Sequence, residues 1–199
     1  HSQYPPNKVL IYDDHSQRTI GQLSFRQKVL VTKLRRDRIV VVLRDRVYVY
    51  NFLDLSVLDK VHTGDNPAGL IGLSLDNWGI GGGGGRGGER ANDVLGSNNN
   101  NGMVLACPST QRGQVRVELY GLRRTTFVDA HESALGALAL SVDGSLLATA
   151  SERGTVIRLY DTRGVTIGGG RAATSMNNAS GSTTSVSSSV PLKEFRRGV

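Results

Sequence analysis

The amino-acid sequence predicts an all-β fold of the WD40-like β-propeller type. Short segments rich in Val, Ile, Leu and Tyr recur along the chain, for example KVLIYDD at 8–14 and RIVVVL at 38–43, and polar clusters such as DHSQR separate them. Apolar runs that alternate with turn residues in this way are typical of β-strands joined by tight turns. No long segment has the 3.6-residue period of an amphipathic helix, so the sequence indicates strands throughout.

An internal repeat favours the propeller among all-β folds. Four segments share an apolar-alternating strand that follows a turn, and they are KVLIYDD, RVYVYNF, QVRVELY and TVIRLYD. They begin at Lys8, Arg46, Gln114 and Thr155, at intervals of 38, 68 and 41 residues. Once an insertion of about 25 residues is removed from the middle interval, every spacing is near the roughly 40 residues of a four-stranded blade. A β-sandwich with a coincidental spacing is the alternative architecture.

Two segments do not belong to the repeating core. The first, 77–102, contains IGGGGGRGGER and SNNNNG, and the second, 164–190, contains GGGRAATS followed by a run rich in Ser and Thr. Neither has enough apolar side chains to offset the entropy cost of ordering it. We therefore expect two disordered insertions in a single partial propeller over 1–199, with about three full blades and parts of two others. The chain opens in mid-blade and stops soon after a strand, which predicts a fragment or a truncated gene model.

Composition limits the possible functions. The formal net charge is +7 and the isoelectric point about 9.9. These values fit an anionic partner such as a nucleic acid, a phosphoinositide or an acidic protein surface, although an ordinary basic surface gives the same values.

Cys107, the only cysteine, lies in the apolar run MVLAC. It is expected to be a buried structural residue in a reducing compartment such as the cytosol. No apolar stretch reaches the roughly 18 residues needed to span a bilayer, so contact with a membrane would be peripheral.

The sequence predicts neither catalysis nor a cofactor. No Ser/His/Asp or paired-carboxylate arrangement stands out, and the glycine run opens no helix, which excludes a dinucleotide site or a P-loop. His15, His62 and His131 lack metal-ligand spacing with Cys107 or with each other, so no metal site is predicted.

A set of hydroxyl and guanidinium groups near the end of the chain has the chemistry of a phosphate site. Thr149 and Ser151 lie two residues apart and share one face of a strand. Thr155 begins the next strand and Arg158 lies further along it, while Gly154 supplies the turn between them. Arginine is the preferred side chain for bidentate phosphate contacts. In an extended FRRG segment Arg196 and Arg197 leave opposite faces, so they would serve two adjacent sites.

At these residues the chain resembles the PROPPIN family, the autophagy-18-like and WIPI seven-bladed propellers. The family's L/F-R-R-G motif stands here as Phe195–Gly198, and its ASxKGTxIR stretch stands as ASERGTVIR, with Arg153 in place of the usual Lys. YPPNKVLIYDD at 4–14, LRRDRIVVVL at 34–43 and NPAGL at 66–70 also resemble the family's earlier blades. The resemblance covers essentially the whole chain outside the two insertions.

The resemblance implies a phosphoinositide-binding scaffold, not an enzyme, that acts in autophagosome formation. It implies phosphatidylinositol 3-phosphate and phosphatidylinositol 3,5-bisphosphate as ligands, lipid-transfer or conjugation proteins of autophagy as partners, and a cytoplasmic protein peripheral on preautophagosomal, endosomal or vacuolar membranes. The residues it assigns to the first lipid site are His131, Thr149, Ser151, Gly154, Thr155, Arg158 and Arg196, and Arg197 resembles the arginine that opens a second site.

Other interpretations of the same residues remain open. His131, with Asp143 and Ser151, resembles the hydrogen-bonded set that braces WD-repeat blades. Thr149 and Ser151 could bond across their hairpin, and Gly154 could serve the turn alone. At the level of function the alternatives are a WD-repeat-like protein-interaction scaffold without lipid binding, and a nucleic-acid binder, which the single RGG at 86–88 does not favour.

Overall fold

The computed structural model describes residues 4–75, 102–162, 175–177, 183–187 and 190–197, and within these ranges it is built of β-strands and one short 3₁₀ turn at Tyr120–Leu122. The chain opens with an antiparallel hairpin, β1 (Lys8–Asp13) and β2 (Arg18–Ser24). The predicted all-β class is confirmed.

Three sheets follow the hairpin, each built on four antiparallel strands, and we name these four-stranded units blades I, II and III. Blade I consists of β3 (Val31–Leu34), β4 (Arg38–Val42), β5 (Arg46–Asn51) and β6 (Val57–His62). Blade II consists of β7 (Gly72–Leu73), β8 (Val104–Pro108), β9 (Gln114–Leu119) and β10 (Arg124–Asp129). Blade III consists of β11 (Leu135–Leu140), β12 (Leu146–Ser151), β13 (Val156–Asp161) and β16 (Lys193–Arg196).

The sequence repeat marks the same strand in each sheet. RVYVYNF, QVRVELY and TVIRLYD contain β5, β9 and β13, the third strand of blades I, II and III, and KVLIYDD contains β1. The partial propeller predicted from the spacing is therefore confirmed. The outer strands β6 and β16 show little alternation of apolar and polar residues, because most of their side chains are partly or fully exposed.

The core lies between the sheets. In β4, Ile39 and Val41 pack with residues of the hairpin and Tyr50, while Val40 and Val42 pack with Leu105 of blade II. A central strand with neighbours on both faces must be apolar at every position, which explains uninterrupted runs such as IVVV. Each buried valine contributes about 1.5–3 kcal/mol relative to an exposed one.

Two further strands fall inside the segment predicted to be a disordered insertion. Within 164–190 the chain forms β14 (Ser175–Asn177) and β15 (Thr183–Ser187), and β15 pairs in parallel with β10 at the outer edge of blade II. These eight residues pair at an open edge, where backbone hydrogen bonding needs no apolar side chains, and the disorder of the insertion as a whole stays a prediction. The rest of this insertion, apart from Val190, and nearly all of 77–102 lie outside the described residues.

We predict that Cys107 is unreactive until blades I and II separate. The thiol is fully buried, and burial raises its pKa to about 12, so almost no thiolate is present at pH 8. Labelling by a thiol reagent should be at least about a hundredfold slower in buffer than in denaturant. A comparable rate in both conditions would show that this core opens freely.

Candidate functional site

A cleft of about 460 Å³ opens where blade III meets the connection from blade II. Its lining residues come from the β8–β9 turn, the β10–β11 connection and the β12–β13 hairpin, and they include Arg112, His131, Ser151, Arg153, Thr155 and Arg158. Four predicted site residues, His131, Ser151, Thr155 and Arg158, are thus brought together. The arrangement is a pocket between sheets rather than a site on one strand.

Thr149 lies behind this cleft rather than in its wall. The side chain shares a face of β12 with Ser151, as the alternation of the strand predicts, and Thr149 is only 1% exposed. Its hydroxyl Oγ1 is 3.0 Å from Nε2 of His131. Thr149 therefore contacts the imidazole of His131 and does not line the cleft.

The predicted bracing set of His131, Asp143 and Ser151 does not form. The Asp143 carboxylate accepts hydrogen bonds from the Ser141 and Ser145 hydroxyls and from the backbone N–H of Ser145. These local bonds lower the pKa of Asp143 to about 2 and keep the carboxylate within its own turn. The partner that braces His131 is Thr149.

Arg158 is held in place on the cleft wall by two acceptors. Its Nε donates to Oε1 of Glu194 over 2.7 Å, and its Nη1 donates to the carbonyl oxygen of Ala130 over 2.6 Å. The first contact links β13 to β16 and the second links blade III to the end of blade II. Arg158 is therefore a fixed, partly neutralised cation whose side chain is 32% exposed on the cleft wall, where it can meet an anion.

The strand register separates the two adjacent arginines as predicted. Val156 pairs directly with Arg196, so Arg196 shares the face of blade III that carries Val156 and Arg158 and that lines the cleft. Arg197 continues the extended chain, with its N–H bonded to the carbonyl of Thr155 over 3.0 Å. By alternation its side chain leaves the opposite face, which carries Ile157. Gly198, the last residue of the motif, lies outside the described residues.

Two glycines with left-handed backbone shape the cleft for different reasons. Gly154 has a φ of +65°, and a Cβ added there would meet nothing within 4 Å, so this glycine serves the turn. Gly113 has a φ of +75°, and a Cβ there would lie 1.7 Å from the carbonyl oxygen of His131. The Gly113 carbonyl also accepts the N–H groups of Ala130 and His131 over 3.1 and 3.0 Å. Gly113 therefore fixes His131 from the neighbouring blade.

Sequence reasoning missed several residues of the cleft. Arg112 comes from the β8–β9 turn, and Glu132 and Ser133 from the β10–β11 connection. Arg153 was noted as a replacement for lysine but was not assigned to the site. No motif includes Arg112, and only the packing of one blade on the next brings it to the cleft. Glu194, which holds Arg158, precedes the FRRG motif and was not considered.

The electrostatics of the cleft favour an anion. Three arginines line it against one glutamate, Glu132. Burial lowers the pKa of His131, and the nearby Arg158 acts in the same direction, although the hydrogen bond with Thr149 opposes them. The imidazole is therefore neutral at pH 7, and an incoming phosphate would favour its protonated form.

Neither a metal centre nor a membrane span is evident in the described part of the chain. Among those residues no group of three or more His, Cys, Asp or Glu side chains could hold a metal ion. In the same ranges no helix is long and apolar enough to cross a bilayer.

The fold defines this chain as a segment of a WD40-like β-propeller, and comparison with known proteins identifies the family. Autophagy-related protein 18e of Arabidopsis thaliana is 33% identical over 198 residues, which cover 100% of this chain and 40% of that protein. WD repeat domain phosphoinositide-interacting protein 2 of Mus musculus is 34% identical over 158 residues, covering 78% of this chain and 30% of that protein. No family model matches.

Solved structures agree with the fold. Hsv2 of Kluyveromyces marxianus superposes with a TM-score of 0.63 at 19% identity, covering 98% of this chain and 46% of that one. KlAtg21, solved in complex with the coiled coil of AgAtg16, gives a TM-score of 0.64 at 21% identity, covering 100% of this chain and 51% of that one. The chain belongs to the PROPPIN family, whose members are scaffold proteins rather than enzymes. It spans at most about two-fifths of the length of the two curated relatives above.

We predict that Gly113→Ala destabilises the protein far more than Gly154→Ala. Both substitutions place a side chain at positive φ, which costs about 1–2 kcal/mol. Only the Gly113 variant adds a clash with the backbone of His131. In chemical denaturation the free energy of unfolding should fall by at least about 2 kcal/mol more for Gly113→Ala than for its matched control. Equal losses would mean that the turn does not support His131.

We also predict that His131 makes folding stability sensitive to mild acid. The folded pKa is lowered, so the unfolded state binds the proton more tightly, and stability is lost as pH falls through the unfolded pKa of about 6.5 towards the folded value. Compared at pH 8 and at pH 5.5, the stability advantage of the wild type over His131→Gln should narrow at the lower pH. An advantage that stays constant would contradict the neutral, Thr149-bonded imidazole.

Proposed function

We propose that the chain is the phosphoinositide-binding part of a peripheral membrane scaffold that acts in autophagy. The cleft between blades II and III would hold the phosphorylated headgroup of phosphatidylinositol 3-phosphate or phosphatidylinositol 3,5-bisphosphate. The names of the relatives support this proposal, since one is autophagy-related and another is called phosphoinositide-interacting. A cytoplasmic location, at preautophagosomal, endosomal or vacuolar membranes, follows from such a ligand.

The observation that carries the proposal is the shared face of Arg158 and Arg196. Arg196 lies directly opposite Val156, which is two residues from Arg158 on β13. Ser151, two residues from the Thr149 that pairs with Arg158, lies on the same face. A phosphate in the cleft would accept hydrogen bonds from guanidinium and hydroxyl groups on three neighbouring strands, β12, β13 and β16. Surface charge of the same sign would aid approach to anionic lipid.

Protein partners are the second part of the proposal. A relative of known structure was solved with the coiled coil of an autophagy protein, and a propeller offers several faces to partners at once. We propose that the lipid cleft locates the scaffold while other faces recruit lipid-transfer or conjugation proteins of autophagy. If these faces differ from those that line the cleft, mutations in the cleft should reduce lipid binding and leave partner binding unchanged.

The alternative scaffold without lipid binding predicts no headgroup selectivity. Liposome flotation separates the two functions when phosphatidylinositol 3-phosphate is compared with phosphatidylserine at equal total charge. Selective binding supports the proposed function, and equal binding would indicate a basic surface that attracts any anionic membrane.

We predict an asymmetry between the two adjacent arginines of the FRRG segment. Arg196 lies on the face of blade III that carries Val156 and Arg158, and Arg197 lies by alternation on the other face. We therefore expect Arg196→Ala to remove most headgroup-selective binding and Arg197→Ala to remove a weaker, salt-screened contribution. A lost arginine–phosphate contact costs about 1.5–3 kcal/mol, roughly ten- to a hundredfold in affinity.

The two variants are matched controls, because each removes one exposed charge from the same segment. Both are titrated with phosphatidylinositol 3-phosphate liposomes at two salt concentrations. Equal losses would contradict the assignment of the arginines to different faces, and an unchanged affinity for Arg196→Ala would refute lipid binding by the cleft.

A further inference from the structure

Arg112 approaches the cleft from a different blade than the residues of the FRRG and ASERGTVIR segments. It lies in the β8–β9 turn of blade II, and it lines the cleft together with Arg153, Thr155 and Arg158. The cleft therefore has two walls. Blade III supplies the wall with the hydroxyls and Arg158, and the turn of blade II supplies a wall whose charged group is Arg112.

The turn that carries Arg112 is held rigidly. The N–H of Ser109 donates to the carbonyl of Gln114 over 2.9 Å, which closes the turn. The Gln114 side-chain amide donates to Oε1 of Gln111 over 2.8 Å and to Oδ1 of Asp129 over 2.7 Å. Together with the two bonds to the Gly113 carbonyl, these contacts fix the backbone on both sides of Arg112, so the side chain starts from a constant point at the mouth of the cleft.

Arg112 also differs from Arg158 in having no internal partner. Within the ranges that the structure describes, the Arg112 side chain forms no hydrogen bond or ion pair, and it is exposed. Arg158 shares its charge with Glu194 and donates to the carbonyl of Ala130. Arg112 is thus an exposed cation in the wall of the cleft supplied by blade II, with no partner among the described residues, as Arg153 is in the wall supplied by blade III.

We propose that Arg112 is a specificity-determining residue that contacts a second phosphate of the bound headgroup. The inference rests on the proposed function and names its preferred ligand, a bisphosphorylated inositide over a monophosphorylated one. The first phosphate lies against Arg158 and Arg196 of blade III, and the second faces Arg112 of blade II. Because one headgroup would then contact guanidinium groups on two blades, its binding would also stabilise the packing of blade II against blade III.

The test uses the 199-residue chain and three kinds of vesicle, with phosphatidylinositol 3-phosphate, phosphatidylinositol 3,5-bisphosphate or phosphatidylserine at equal total charge. The wild type should bind the bisphosphate about tenfold more tightly than the monophosphate. Arg112→Ala should lose about tenfold in affinity for the bisphosphate and less than about twofold for the monophosphate, as expected for one charge-assisted contact. Arg112→Lys keeps the positive charge but not the bidentate guanidinium group, so it should recover part of the affinity that Arg112→Ala loses.

Arg36→Ala is the matched control, because it removes one exposed arginine from blade I, outside the cleft. It should leave the preference for the bisphosphate unchanged. Soluble inositol 1,3,5-trisphosphate and inositol 1,3-bisphosphate, titrated calorimetrically, should reproduce the same difference without a bilayer. Circular dichroism melts of all variants confirm that each is folded.

The outcomes distinguish this inference from the proposed function. Suppose that the wild type prefers both inositides to phosphatidylserine. If Arg112→Ala then loses the same affinity for both inositides, or loses affinity for neither, the role of Arg112 is refuted while lipid binding stands. An equal loss for Arg36→Ala would likewise refute it, since any surface charge would then suffice. If the wild type does not discriminate inositides from phosphatidylserine, both proposals fail together.

Discussion

The structure depends on the packing of each sheet against the next one along the chain. The second strands of blades I and II are buried on both faces, so that Val104 and Ala106 contact blade III while Leu105 and Cys107 contact blade I. No blade has a core of its own, and each apolar face is removed from water only when the next sheet covers it. Stability and the geometry of anything built between blades therefore have the same physical origin.

The candidate site follows from this dependence. Arg158 reaches across to the carbonyl of Ala130 at the end of blade II, and the Tyr160 hydroxyl donates to the same oxygen over 3.2 Å. In the other direction, the carbonyl of Gly113 on blade II accepts the N–H of His131, which leads into blade III. These contacts couple the cleft to the interface, so a headgroup bound in the cleft would stabilise the packing of the two blades as well as locate the protein on a membrane.

The cleft is also balanced against excessive positive charge. Glu194 forms an ion pair with Arg158, and this pair keeps the guanidinium oriented without leaving it as an unpaired charge. A phosphate in the cleft would compete with this carboxylate for the Arg158 guanidinium. The affinity of the site thus reflects a difference between two anions, which limits non-specific attraction to any acidic surface.

By itself the sequence determined the all-β class, the 40-residue repeat and the face shared by Thr149 and Ser151, because strand alternation and turn chemistry are local properties. The FRRG motif likewise predicted that its two arginines point apart, and the register of β16 confirmed it. Only the tertiary structure decided that Thr149 is buried behind His131, that Asp143 stays in its own turn and that Arg112 reaches the cleft. These three outcomes depend on which blades pack together and on which nearby partner each polar group bonds. Neither is encoded in the spacing of residues along one strand.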